Sequence, residues 1–117
     1  MNRLTRATIN TWNGLLSAAR TEAAFRQELV ATAIAIPVAY WLADSPWKWI
    51  LLLSVLLLVM IVELLNTAVE KLSDRVNAAH DPQIGRVKDI SSASVGLAIL
   101  IALMVWLVAA AQRFGLL

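Results

Sequence analysis

Residues 47–74 read WKWILLLSVLLLVMIVELLNTAVEKLSD, and this stretch decides the fold. From Ile50 to Val62 only Ser54 interrupts the hydrocarbon. A helix needs roughly 20 apolar residues to cross a hydrocarbon core of about 30 Å, and this run, opened by Trp47 and Trp49, is a membrane helix on that measure. Its ending is unusual. Spans ordinarily finish in aromatic residues or cations, whereas this one runs straight into Glu63, followed by Leu64, Leu65, Asn66, Thr67 and Glu70. Glu63, Asn66 and Glu70 fall at i, i+3 and i+7, so a helix presents them on one face, and Asp74 continues the stripe by a turn. A carboxylate at the centre of a bilayer costs about 2.5–3.5 kcal/mol on insertion scales, and an ionisable group near hydrocarbon marks a functional site with a partner.

The composition agrees with the bilayer reading. Of 117 residues, 60% are hydrophobic and 15% charged, with a mean hydropathy of +0.72. Soluble domains run nearer 45–50% apolar and about 25% charged, and a small globule cannot hide such an excess. The same figures exclude disorder. The absence of cysteine excludes a disulfide scaffold and a zinc–thiolate centre.

Two further spans flank the first. Residues 29–43, LVATAIAIPVAYWLA, are short, contain Pro37, where a kink or tilt is expected, and end in the interfacial pair Tyr40 and Trp41. Residues 90–111 are long enough to cross once. The expected architecture is an all-α membrane protein with a single domain over residues 1–117. It has an N-terminal amphipathic surface helix over about 3–27 and three transmembrane helices over about 28–43, 47–69 and 89–111. Residues 44–46 form a tight connection in which Pro46 suits a first helical turn. Residues 70–89 form a longer polar loop, with Asp81-Pro82 and Gly85 as turn signals. In the surface helix Ile9, Trp12, Leu16, Ala19 and Ala23 share an apolar face opposite basic and polar residues, which fits a helix lying among headgroups. Packing of that face against the other helices is the compatible alternative.

Arginine and lysine set the orientation. Arg3, Arg6, Arg20, Arg26, Lys71, Arg75, Arg86 and Lys88 lie on one side, and Lys48 and Arg113 on the other. The N-terminus and the 70–89 loop are therefore expected in the cytoplasm and the C-terminus outside, in a bacterial inner membrane. The net charge of +2 is a topology signal, and nothing in the sequence supports nucleic-acid binding. Glu22 and Glu28 precede the first apolar run, which argues against a signal peptide.

Seven of the eight acidic residues fall on the cytoplasmic side or its membrane edge, with Asp44 alone opposite. Glu22, Glu63, Asn66, Glu70, Lys88, Asp89 and Ser92 then form one layer of oxygen ligands, a cation and hydroxyls. Such a layer suits phosphoryl transfer. Carboxylates hold Mg²⁺, a lysine pairs with phosphates, and a carboxylate at headgroup level can take a proton from a lipid hydroxyl. The same inventory also suits an ion pathway. Soluble nucleotide-binding signatures of the G-x-x-x-x-G-K-[ST] or G-x-G-x-x-G kind are absent, and the single histidine, His80, reads as a solvated loop residue.

Three segments in order, Glu22-Ala-Ala-Phe-Arg26-Gln-Glu28, Glu63-Leu-Leu-Asn66-Thr-Ala-Val-Glu70 with Asp74, and Gly85-Arg-Val-Lys88-Asp89 with Ser91, Ser92 and Ala93, resemble the prokaryotic integral-membrane diacylglycerol kinases over nearly the whole chain. The resemblance implies a homotrimer that transfers the γ-phosphate of MgATP to diacylglycerol, giving phosphatidate. It implies Glu63 as the catalytic base, Glu22 and Glu70 as Mg²⁺ ligands, and Asn66 positioning substrate or phosphate. It implies Lys88 and Asp89 at the nucleotide, with Arg3, Ala79, His80 and Asp81 as further ATP-side residues. Arg26, Glu28, Trp41, Ser92 and Trp106 would line the lipid cleft. Asn10 stands where the family often has tyrosine, so no stacking contact is assigned there. A sister branch phosphorylates undecaprenol.

Each of these residues also has a plainer reading. Arg26 and Glu22 are spaced to pair on a helix surface. Lys88 and the tryptophans suit interface anchoring, and Ser91, Ser92, Ala93, Gly96 and Ala98 suit helix packing. From another class, a small proton-coupled multidrug transporter also uses a membrane glutamate, but needs four spans and a glutamate well inside the first. A non-catalytic assembly subunit is a third reading, in which the carboxylates are structural.

Overall fold

The computed structural model describes residues 2–76 and 81–117. Four helices follow in order: α1 (Arg3–Thr21), α2 (Ala23–Leu42), α3 (Pro46–Val76) and α4 (Pro82–Arg113). The described residues form no strand.

Local chemistry sets the helix ends. Asn2 caps α1, its Oδ1 accepting from the Thr5 N–H at 2.8 Å. Pro46 opens α3, and the Ser45 hydroxyl accepts from the Lys48 N–H at 3.2 Å. Asp81 caps α4, its carboxylate accepting from the Gln83 N–H at 2.8 Å, with Pro82 in the first turn. α2 runs through Pro37 as one helix.

Two boundaries differ from the sequence reading. The surface helix ends at Thr21, six residues before its expected end, because Glu22 adopts an extended conformation (φ −113°, ψ 106°) and joins α1 to α2. Most of the expected 70–89 loop is helical: α3 continues to Val76 and α4 starts at Pro82. Asp81-Pro82, read as a turn, is a helix start, because aspartate at the cap and proline at the next position favour that start as strongly as a turn.

α3 packs chiefly on α4, with α2 beside α3 and α1 against α2. The core lies towards the end of the bundle opposite Glu63. Ala39 and Leu42 of α2, Leu52 of α3 and Ala109 of α4 are buried there, flanked by Trp49, Val105 and Trp106. The alanines let the backbones approach closely. Two indoles tie the helices across this core: Trp106 Nε1 donates to the Leu52 carbonyl at 3.0 Å and Trp49 Nε1 to the Ile36 carbonyl at 3.1 Å.

α3 and α4 are both long and apolar enough to cross a membrane, and only 17% of each apolar window is buried within the chain. Their outward leucines and isoleucines therefore need hydrocarbon or another protein surface against them. α2 is apolar beyond its first turns, where Arg26, Gln27 and Glu28 lower its hydropathy. On α1 the apolar side chains Leu4, Ile9 and Trp12 are exposed.

Leu52 is the largest fully buried side chain among the described residues. Leu52→Ala is expected to destabilise the protein by about 2–4 kcal/mol, measured by thermal unfolding in detergent micelles. An unchanged midpoint would show that this core does not hold the helices together.

Candidate active site at the polar end of the helices

The polar end of the bundle gathers the N-terminal turns of α2, the C-terminal turns of α3 and the start of α4. The sequence reading named most of its charged residues, and the structure groups them into separate pairs.

The innermost pair is Glu28 and Glu63. Both are half-buried, and their carboxyl groups are near enough to interact electrostatically. Glu28 Oε2 is buried without a hydrogen-bond partner among the described residues. Two carboxylates in contact repel unless a proton or a cation lies between them. Below them an apolar groove of about 230 Å³ runs between Ala31, Thr32 and Ala35 of α2, Leu56, Val59 and Met60 of α3, and Trp106 of α4, with Glu28 in its wall. A polar head at the carboxylates and an apolar tail in the groove is a lipid-shaped arrangement.

One turn on from Glu63, the Asn66 amide donates to Glu70 Oε1 at 3.2 Å. The Asn66 Oδ1 is buried and unpartnered among the described residues, so it is free to accept from a hydroxyl. Further along α3, the Lys88 ammonium of α4 pairs with the Asp74 carboxylate.

At the junction of α1 and α2, the Lys71 ammonium of α3 lies 3.2 Å from Glu22 Oε1. Glu22 and Lys71 line a second cavity, of about 400 Å³, with Asn10, Thr11 and Ser17 of α1 and Thr67 of α3 also in its wall. Among the described residues no three acidic or histidine side chains converge as a metal centre. Mg²⁺ commonly takes one or two carboxylates and completes its shell with phosphates and water. The hard oxygens of Glu22 and Glu70 are thus the right donor chemistry for that ion beside a nucleotide.

Other expected site residues sit elsewhere. Arg26 does not pair with Glu22; its guanidinium donates to the Ala19 and Arg20 carbonyls at 2.9 and 3.1 Å and so caps the C-terminus of α1. Trp41 lies thirteen residues along α2 from Glu28, about 20 Å of helix. There the Arg113 guanidinium stacks on its ring at 4.6 Å, and Phe114 meets it edge-on. Arg3, Asp89 and Ser92 are exposed, and Asp81 spends its carboxylate on capping α4. Ala79 and His80 lie outside the described residues. Lys71 was visible in the sequence only as a charge for topology, since no local spacing links it to Glu22. Thr32 and Met60, joined by a 3.4 Å hydroxyl–sulfur contact within the groove, carried no sequence signal at all.

The helices and their carboxylates define an all-α, membrane-type protein with an acidic site at the end of its apolar spans. Residues 9–110 match the family model for prokaryotic diacylglycerol kinases. The chain is 42% identical to a diacylglycerol kinase of Escherichia coli K12 over 113 residues, 97% of this chain and 93% of that one. It is 41% identical to one of Haemophilus influenzae, covering 91% and 90% of the two chains, and 39% identical to one of Pseudomonas aeruginosa, covering 91% and 86%. The chain belongs to the prokaryotic diacylglycerol kinase family and is a lipid kinase of that family. Membership brings a nucleotide and a divalent metal in general, and it sets aside the transporter and the non-catalytic assembly subunit.

Arg26→Met is expected to leave the last carbonyls of α1 uncapped. Amide exchange in α1 should then accelerate by about ten-fold, with α3 and α4 unaffected. Unchanged exchange in α1 would show that the capping bonds hold nothing.

Proposed function

We propose that this enzyme transfers the γ-phosphate of MgATP to the free hydroxyl of diacylglycerol, giving phosphatidate and ADP. The observation that carries the reading is an apolar groove with Glu28 in its wall and Glu63 neighbouring Glu28. A lipid lying in that groove presents its hydroxyl at the carboxylates, where hydrocarbon and water meet. Glu63 acts as the base. It takes the hydroxyl proton as the oxygen attacks the γ-phosphorus and the bond to the β–γ bridging oxygen breaks, releasing ADP. Asn66, with its free Oδ1, positions the hydroxyl beside Glu63. Glu22 and Glu70 would hold Mg²⁺, which would supply charge neutralisation to the phosphates. Lys88 and Asp89 face the nucleotide, with Arg3, Ala79, His80 and Asp81 on the same side. Lys88 must leave or share Asp74 to reach a phosphate.

On the lipid side, Glu28 and Trp106 line the groove, and Arg26 and Ser92 are further proposed lipid contacts outside it. Trp41, far along α2, meets acyl chains rather than the headgroup. α2, α3 and α4 are the three spans in a bacterial inner membrane, with α1 lying on its cytoplasmic surface. The N-terminus and the 70–89 segment face the cytoplasm and the C-terminus faces out. The working unit is a homotrimer. The uncovered apolar faces of α3 and α4 and the unpartnered oxygens of Glu28 and Asn66 both favour a site completed by a second copy.

Purified protein in micelles with dioctanoylglycerol and MgATP is expected to form phosphatidate, and undecaprenol to be the poorer acceptor; faster transfer to undecaprenol would assign the chain to the sister activity. Glu22→Ala and Glu70→Ala are each expected to raise the Mg²⁺ concentration for half-maximal rate. An unchanged Mg²⁺ titration in both would remove the metal assignment.

A further inference from the structure

Lys71 has no part in the mechanism above, yet its ammonium sits on one of the two carboxylates to which the metal is assigned. It lies 3.2 Å from Glu22 Oε1. The Thr21 hydroxyl lies 3.4 Å from the same oxygen. Glu22 occupies the break between α1 and α2, where its side chain makes no capping bond to the free N–H groups of α2. The carboxylate therefore depends on side chains for its partners, and Lys71 is the cation facing it. Both residues line the cavity between α1 and α3, together with the hydroxyl-bearing Thr11, Ser17 and Thr67.

We infer that Lys71 is a built-in counter-ion to Glu22 that a divalent cation must displace. The inference rests on the metal role of Glu22 proposed above. Two features suit the Lys71 side chain to the task. It is 58% exposed, so its ammonium can swing into water, or onto a phosphate oxygen in the same cavity, without a desolvation penalty. An ion pair of that exposure is weak, so a dication carrying twice the charge outcompetes it. Without the ammonium, Glu22 would be a bare acceptor, open to any cation at any time. With it, the carboxylate stays neutralised until metal arrives, and release of the metal is assisted by the returning ammonium. Lys71 is thus a positioning residue that sets how much free metal the enzyme needs.

The test uses the full-length protein in micelles and Mn²⁺ alone, titrated without nucleotide and followed by the electron paramagnetic resonance of free Mn²⁺. Lys71→Met is expected to bind Mn²⁺ about five-fold more tightly than the parent, and its half-saturating Mg²⁺ in turnover should fall by a similar factor. Lys71→Arg, which keeps the charge, should restore the parent affinity. In a Glu22→Gln background, which itself weakens Mn²⁺ binding, Lys71→Met should change nothing. A purely structural ion pair would lower thermal stability in Lys71→Met and leave Mn²⁺ affinity where it was, and that result overturns the inference while sparing the metal site. If Glu22→Gln alone leaves Mn²⁺ affinity unchanged, the metal role of Glu22 fails and the inference falls with it.

Discussion

Two acidic side chains from different helices meet at the end of the apolar layer, and the rest of the site is arranged around that contact. Glu63 ends the apolar run of α3 and Glu28 lies in the first turns of α2; their carboxyls are neighbours. Neither has hydrocarbon-compatible chemistry, and each is half-buried. Their repulsion is relieved only by a proton or a cation between them. A pair with that requirement is suited to accept a proton from a hydroxyl brought against it. In the proposed reading, the groove bounded by Leu56, Val59, Met60 and Trp106 would hold a lipid whose hydroxyl arrives at the carboxylates.

The water side is organised by the break at Glu22. Because the chain is extended there, α1 folds away from α2 and opens a cavity against α3. Arg26 satisfies the carbonyls that the break exposes. Glu22 is left facing α3 rather than α2, with Lys71 upon it. Glu70, which accepts from Asn66, is about two turns of α3 beyond Glu63, so in the proposed reaction a metal-bound phosphate chain and a lipid hydroxyl would approach along one helix face. The geometry separates an apolar groove from a polar cavity, with α3 common to both; the proposed reaction would use the first for the acceptor and the second for the donor.

The helical, membrane-embedded character was legible in the residue 47–74 stretch, because an unbroken apolar run has few other places to go. The stripe Glu63–Asn66–Glu70 was legible for a similar reason: helical periodicity is a local property. Charge placement put Glu22, Lys88 and Asp89 in the same polar layer, and the resemblance alone implied their roles. The pairings were not legible. Nothing in the sequence says that Lys88 closes on Asp74 rather than on a phosphate, that Lys71 closes on Glu22, or that Arg26 turns back to the carbonyls of α1. These contacts depend on how helices far apart in sequence lean together. The boundaries at residues 22 and 76–82 were misjudged because acidic and proline residues signal both turns and helix starts, and only capping geometry separates the two.

Single-turnover transfer from bound ATP to dioctanoylglycerol tests the central claim most directly, in the parent and in Glu63→Gln. The variant keeps the size of the side chain and removes its basicity. Glu63→Gln is expected to bind ATP normally and to lose at least about 10²-fold in the transfer step. Transfer at the parent rate in Glu63→Gln would contradict this, because Glu63 would then not be the group that takes the proton.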